Sequence, residues 1–170
     1  QLLLYVMGCV CNIGYFALAI SKTLEMAIIC NSITYLGAVF LPLCVLLRTA
    51  EFCGITLRRS TISVLTAGSG VVFSLVFSTG YSDIYYKNVS IKKIYGVTHL
   101  VKEYGPAHNA YKILLGVYVL VIALVVIGAF RRKNHFTKRT VFSMVANILA
   151  PCIVYLVERK FALPIELLPF

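Results

Sequence analysis

Charged side chains are scarce in this chain of 170 residues, where aspartate, glutamate, lysine and arginine together make up 13%. Soluble domains carry about 25% charged and about 45–50% apolar residues, whereas 60% of this chain is hydrophobic. A soluble fold with so few charges would expose large apolar patches and aggregate. The composition therefore predicts a protein whose main solvent is the lipid bilayer.

Catalytic and metal-binding motifs are also missing from the sequence. The six cysteines include no Cys-x-x-Cys pair, and the three histidines complete no metal-ligand spacing. The sequence has no glycine-rich phosphate loop and no nucleophile motif. We therefore expect no cofactor and no catalytic residue, and we interpret the cysteines mainly as small apolar side chains in helices.

Basic residues outnumber acidic ones and give the chain a net charge of +10. In a soluble protein this charge would suggest nucleic acid as a partner. Here the lysines and arginines lie between or beside apolar runs, as in loops that face anionic lipid headgroups. No nucleic-acid-binding motif is present, so we expect the lipid bilayer and no nucleic acid as the partner.

Five apolar runs are long enough to cross the hydrocarbon core of a bilayer, which takes about 20 helical residues. One further apolar stretch begins another span near the end of the sequence. The predicted fold is all-α, a polytopic transmembrane helix bundle with five full spans plus a truncated sixth. The runs cover residues 2–20, 26–47, 60–79, 113–130 and 140–157, and the further span starts at 161–170.

The distribution of basic residues predicts how these spans are oriented. Five lysines and arginines lie within residues 131–139, and such density is typical of a cytoplasmic link. The start of the chain is then cytoplasmic, whereas the segment 79–109 and the end of the chain are external. Residues 88–93 and 95–102 of that segment alternate at a period near two, which predicts a short extracytoplasmic β-hairpin.

Uncharged polar side chains form stripes within the predicted spans. Asn31, Thr34 and Tyr35 share one face of the second span, and Asn147 belongs to a similar stripe in the fifth. No charged residue lies in the middle of a span, which argues against a proton-coupled pump. Two interpretations of the stripes stay open: hydrogen-bonded helix packing, or a ligand pocket lined by a few polar groups.

Small residues form a ridge along the third span. Thr66, Gly70, Ser74 and Ser78 are spaced by four and therefore share one helix face. Because small side chains let helix backbones approach closely, this ridge is interpreted as a packing surface.

Four short motifs carry a resemblance to a known family. They are Tyr-Leu-Gly-Ala-Val-Phe-Leu-Pro at 35–42, Arg-Thr-Ala-Glu-Phe-Cys-Gly at 48–54, Val-Lys-Glu-Tyr-Gly-Pro at 101–106 and Leu-Pro-Ile-Glu-Leu-Leu-Pro-Phe at 163–170. With these motifs the chain resembles the N-terminal seven-transmembrane sensor region of bacterial histidine kinases, which also precedes diguanylate cyclase outputs. The resemblance spans nearly the whole chain and implies that the five runs are helices two to six of seven.

The same resemblance implies a function. It predicts an input module of the bacterial inner membrane that perceives an extracytoplasmic or membrane-borne signal and passes it to a cytoplasmic output domain of the parent chain, such as a histidine kinase. It also implies a homodimer and an unknown small ligand. Because no output domain lies in this sequence, we expect no enzyme activity from the chain itself. The candidate pocket residues are Asn31, Tyr35, Asn147, Glu103 and Tyr104.

Other functions stay open at this level. A transporter or channel fragment would show internal repeats and a hydrophilic path through the membrane, and the sequence shows neither. A membrane enzyme would need clustered ionisable residues at one membrane face. A structural membrane subunit would need none of these features, so the sequence alone leaves it as an alternative.

Overall fold

The computed structural model describes residues 2–94 and 96–131. The predicted fifth span, the stretch 161–170 and Asn147 therefore lie outside the described residues. Helices dominate the described part, as predicted. Its elements are α1 (Leu2–Ile20), α2 (Leu24–Phe52), α3 (Arg59–Phe77), β1 (Tyr86–Ile94), β2 (Val97–Tyr104), a 3-10 turn (Pro106–His108) and α4 (Asn109–Arg131).

Four helices of the described residues are long and apolar enough to cross a membrane. They account for the first four predicted spans by length and composition, and five full spans are therefore not established. The chain divides into two compact units, Gln1–Val126 and Ile127–Phe170. All tertiary contacts that follow lie within the first unit.

Helix α2 begins earlier and ends later than the apolar run 26–47. At its start the Thr23 hydroxyl caps the helix by accepting a hydrogen bond from the backbone N–H of Met26 at 3.3 Å. At its end Arg48 pairs with Glu51 at 2.6 Å and lies over the ring of Phe52. Because these local contacts support polar residues in a helix, an apolar run alone underestimates its length.

Helices α1 and α2 pack with their backbones almost in contact. An added Cβ at Gly14 would lie 2.5 Å from the backbone nitrogen of Thr34. An added Cβ at Gly37 would lie 2.6 Å from both the nitrogen of Cys11 and the carbonyl oxygen of Met7. The two glycines therefore allow a close approach that any other residue would prevent.

The small-residue ridge is not the buried face of α3, so its interpretation as a packing surface is wrong in the described structure. Thr66 and Ser74 are exposed, and their hydroxyls donate to the carbonyls of Ile62 and Gly70 in their own helix. Such bonds satisfy a polar side chain within one helix. The buried face is instead formed by Leu65, Ser69, Val72 and Val76.

Ser69 belongs to a buried polar contact that joins three helices. Its hydroxyl is 2.8 Å from the hydroxyl of Tyr118 in α4, which donates to the Leu65 carbonyl at 3.2 Å. Ser69 also lies 3.4 Å from the Val39 carbonyl of α2. These contacts fix α2, α3 and α4 against one another through hydrogen bonds, in a bundle where lipid weakens the hydrophobic driving force between helices.

Strands β1 and β2 form a two-stranded antiparallel sheet, which confirms the predicted hairpin. Gly96 lies in its turn with φ 82°, a conformation that favours glycine. Leu100 of β2 packs in a small core with Leu18, Ala27 and Cys30 of α1 and α2. The Thr98 hydroxyl donates to the Ser21 carbonyl at 2.7 Å. The hairpin is therefore docked on the corner between α1 and α2.

Candidate functional site

Five tyrosines and one histidine meet where the hairpin, α2 and the start of α4 come together. We name this group the tyrosine cluster. Its rings contact one another edge-on, tilted or stacked, with centroid distances between 3.9 and 6.1 Å. It consists of Tyr35, Tyr85, Tyr86, Tyr104, His108 and Tyr111.

Tyr35 of α2 lies at the centre of the tyrosine cluster. Its ring contacts Tyr85 at 6.1 Å and Tyr111 at 5.5 Å between centroids, edge-on in both cases. Its hydroxyl is 3.1 Å from the hydroxyl of Tyr86, within hydrogen-bond distance. Edge-to-face tyrosine contacts add to the energy of ring burial. One residue of α2 is thereby tied to the hairpin and to α4.

Backbone hydrogen bonds join the loop before β1 to the entry of α4. They position the rings of Tyr85 and Tyr104, which adjoin this contact in the chain. The N–H of Gly105 donates to the Tyr85 carbonyl at 2.8 Å, and the N–H of Ala107 donates to the Ile84 carbonyl at 3.0 Å. An added Cβ at Gly105 would collide with the carbonyl oxygens of Asp83 and Ile84. The Tyr-Gly-Pro motif therefore needs its glycine for this close approach.

An irregularity in β1 turns Tyr86 toward the cluster. Asn88 pairs with Glu103, but Tyr86 pairs with Tyr104, so Lys87 is an extra residue in β1. A β-bulge of this kind changes which face a side chain points to. As a result Tyr86 shares the face of Tyr104, and their ring centroids are 6.1 Å apart.

Lys102 brings a cation to the cluster. Its ammonium nitrogen lies 5.8 Å from the ring centroid of Tyr35 and 5.6 Å from that of Tyr86. Both distances are within the range of a cation–π contact. Because side chains alternate along a strand, Lys102 shares the face of Leu100 and Tyr104.

Asn31 lies one helical turn before Tyr35 on the same face of α2. Its side chain is 2% exposed. Its amide nitrogen has no hydrogen-bond partner within 2–94 and 96–131. A buried donor without a partner costs free energy, so it marks a place where an acceptor would be stabilising.

Burial keeps the phenols of Tyr85 and Tyr86 in their protonated form. Burial first, and the neighbouring Tyr35 hydroxyl second, raise the pKa of Tyr85 far above that of an ordinary phenol. The same two causes raise the pKa of Tyr86. Both side chains therefore keep an O–H group that can donate a hydrogen bond.

The structure brings some of the predicted pocket residues together and separates others. Tyr35 and Tyr104 both contact Tyr86 and so belong to one cluster. Asn31 adjoins Tyr35 on α2. Glu103 is exposed, and its carboxylate accepts a hydrogen bond from the Asn88 amide at 2.9 Å, away from the cluster.

Several residues of the cluster are not among the sequence candidates. Tyr85, Tyr86 and Tyr111 lie outside the stripes of the predicted spans, and Lys102 resembles the other lysines of its segment. A usable signal was the alternation in β2, which places Lys102 on the same face as the apolar Leu100. The bulge at Lys87 has no comparable mark in the sequence.

Metal chemistry finds no support in the part of the chain that the structure describes. No group of three or more histidine, cysteine, aspartate or glutamate side chains is placed there to hold an ion. The cluster itself offers tyrosine hydroxyls and one imidazole, that of His108, and beside it lie the Asn31 amide and the Lys102 ammonium. The arrangement is therefore suited to binding an organic molecule by hydrogen bonds and ring contacts.

Comparison with known proteins gives a family match over the whole chain. Residues 1–170 match the family model described as the N-terminal 7TM region of histidine kinase. No curated protein and no solved structure matches the chain.

Proposed function

Because this chain belongs to the family of N-terminal seven-transmembrane regions of histidine kinases, we propose that it perceives a signal at the tyrosine cluster and passes it to a cytoplasmic histidine kinase. Its membrane is the bacterial inner membrane, and its signalling unit is a homodimer. The density of basic residues in 131–139 favours a cytoplasmic position for that link. The hairpin is then on the outer side.

The observation that carries this proposal is the hydrogen bond between the hydroxyls of Tyr35 and Tyr86. It joins a strand of the hairpin to the middle of a helix that crosses the membrane. Both rings are almost fully buried. A change in the position of the hairpin therefore reaches α2 through this hydrogen bond, as well as through Leu100, which packs with Ala27 and Cys30.

From α2 the signal has a packed route toward the other membrane face. Val39, one turn after Tyr35, has its carbonyl oxygen against Ser69 of α3, and Ser69 in turn contacts Tyr118 of α4. A ligand shifts such a bundle only if it binds one helix packing more tightly than another. That difference in affinity arises at the tyrosine cluster. The hydrogen bonds of Ser69 with Val39 and Tyr118 then transmit the change in packing to α3 and α4.

We expect Asn31→Leu to change signalling more than folding, because the leucine fills a similar volume but removes the amide donor. The rate of autophosphorylation of the full-length parent protein in nanodiscs should change by about fivefold, the lower range of a typical coupling energy. Its thermal unfolding midpoint should change little. Asn147→Leu tests the second predicted stripe in the same way.

Val71→Leu is the matched control for Asn31→Leu, since Val71 is an exposed apolar residue of α3. It should leave both the rate and the unfolding midpoint at the wild-type values. A parallel loss of folded protein and autophosphorylation in Asn31→Leu would instead assign Asn31 to helix packing.

A further inference from the structure

An unpartnered atom of α2 beside the tyrosine cluster, the Asn31 amide nitrogen, has a defined chemistry. The Asn31 amide nitrogen donates hydrogen bonds and cannot accept them. It has no hydrogen-bond partner among the described residues, although only 2% of the Asn31 surface is exposed. The group that satisfies it must therefore present an acceptor, such as a carbonyl or carboxylate oxygen.

A second donor beside the tyrosine cluster carries a positive charge. The ammonium group of Lys102 lies over the rings of Tyr35 and Tyr86. Asn31 lies one turn before Tyr35 on the same face of α2, and Lys102 contacts the Tyr35 ring from the hairpin. A hydrogen bond between a cation and an anionic oxygen is about twice as strong as one between neutral groups.

The remaining side chains of the cluster favour the same ligand. Tyr85 and Tyr86 remain protonated phenols and so donors, as their environment requires. None of the six cluster residues carries a carboxylate, and Glu103, next to Tyr104 in the chain, accepts a hydrogen bond from Asn88 instead. The other groups of the cluster are aromatic rings, and such rings pack against apolar groups. An anionic head and an apolar body therefore complement the site.

We propose that the tyrosine cluster binds an organic carboxylate with an apolar body. The carboxylate accepts hydrogen bonds from Asn31 and Lys102, and the apolar body packs against the tyrosine rings. This inference rests on the proposed sensory function, whose signal it identifies by chemical class. Binding draws the Lys102 ammonium from the faces of Tyr35 and Tyr86 toward the carboxylate, which changes how β2 is held against α2.

The test uses three probes that differ only in their head group: hydrocinnamate, hydrocinnamamide and phenylpropylamine. Each is titrated calorimetrically into the full-length parent protein in nanodiscs, with empty nanodiscs as the blank. Hydrocinnamate should bind at least about tenfold more tightly than the amide, because its charged oxygens meet the Lys102 cation. Tightest binding of phenylpropylamine would overturn the proposal and identify the cluster as a cation site. Equal affinity for the three probes would overturn it as well.

Variants of two hairpin lysines locate the binding. Lys102→Met should weaken hydrocinnamate binding by at least about tenfold, and Lys102→Arg should retain most of it because the charge stays. Lys92→Met is the matched control, since Lys92 is exposed and pairs with His99 on the same hairpin. Equal losses in Lys92→Met and Lys102→Met would overturn the proposal in favour of diffuse surface charge.

Asn31→Leu supplies a third, independent variant. It should weaken hydrocinnamate and leave the affinity of the amine unchanged, which separates loss of the donor from loss of the fold. Autophosphorylation is measured in the same samples. Selective binding of hydrocinnamate without any change in autophosphorylation would contradict the sensory function and leave the carboxylate site intact. A change of autophosphorylation in Asn31→Leu without carboxylate selectivity would overturn the ligand class alone.

Discussion

Gly37→Ala is expected to lower the free energy of unfolding by about 1–3 kcal/mol, the usual effect of overpacking a tight contact. The added methyl group would lie 2.6 Å from the Cys11 nitrogen and from the Met7 carbonyl oxygen. Both are backbone atoms of α1, so no side chain can rotate away to relieve the collision. The two helices must separate, and the polar and apolar contacts between them weaken together.

The control for Gly37→Ala is Gly8→Ala on the facing helix. No atom lies within 4 Å of a Cβ added at Gly8. Alanine there should stabilise the helix by about 0.5–1 kcal/mol, because glycine loses more conformational freedom on folding. The same substitution should thus change the free energy of unfolding in opposite directions at the two sites, as measured by equilibrium unfolding in detergent. Destabilisation of equal size at both would contradict the close α1–α2 contact.

Gly105→Ala is expected to disrupt the tyrosine cluster as a whole. The backbone at Gly105 has φ −84° and ψ 178°, which any residue adopts, so the effect would come from collision with the carbonyls of Asp83 and Ile84. The hydrogen bond from Gly105 to the Tyr85 carbonyl would then lengthen. We expect a loss of about 1–3 kcal/mol in the free energy of unfolding.

The near-ultraviolet circular dichroism of tyrosine reports on this change directly, because the chain contains eleven tyrosines and no tryptophan. The near-ultraviolet circular dichroism of Gly105→Ala should lose much of its tyrosine signal, while the far-ultraviolet helix signal remains. Gly96→Asn in the hairpin turn is the control, since asparagine tolerates a positive φ and no atom lies near an added Cβ there. An unchanged tyrosine signal in Gly105→Ala would contradict the positioning role of this glycine.

Apolar runs in the sequence predicted the four described helices but not all of the residues at which they begin and end. The run 26–47 became the longer helix Leu24–Phe52, because a threonine cap and an ion pair extend it through polar residues. The third span shows a different limit. Small residues at a spacing of four did not reveal which face is buried, since Ser69 is buried through contacts with other helices.

The candidate site was predictable where it depends on helix periodicity. Asn31 and Tyr35 were identified from their spacing, and both are buried on α2. The choice between Glu103 and Lys102 depends instead on which face of β2 docks on the helices, which is the face of Leu100. The extra residue in β1 brings Tyr86 to that same face. The sequence contains the tyrosine pair at 85 and 86, but only the fold brings it to Tyr35.

The central claim is that the contact between the hairpin and α2 transmits the signal. It is tested most directly by measuring autophosphorylation of the full-length parent protein in nanodiscs with Tyr86→Phe, which removes only the hydroxyl that reaches Tyr35. Tyr81→Phe is the control, because Tyr81 is 91% exposed in the same segment. We predict that Tyr86→Phe changes the rate by about fivefold at a nearly unchanged unfolding midpoint, whereas Tyr81→Phe matches the wild type. A wild-type rate in Tyr86→Phe, or a change only in proportion to the folded fraction, would contradict the claim.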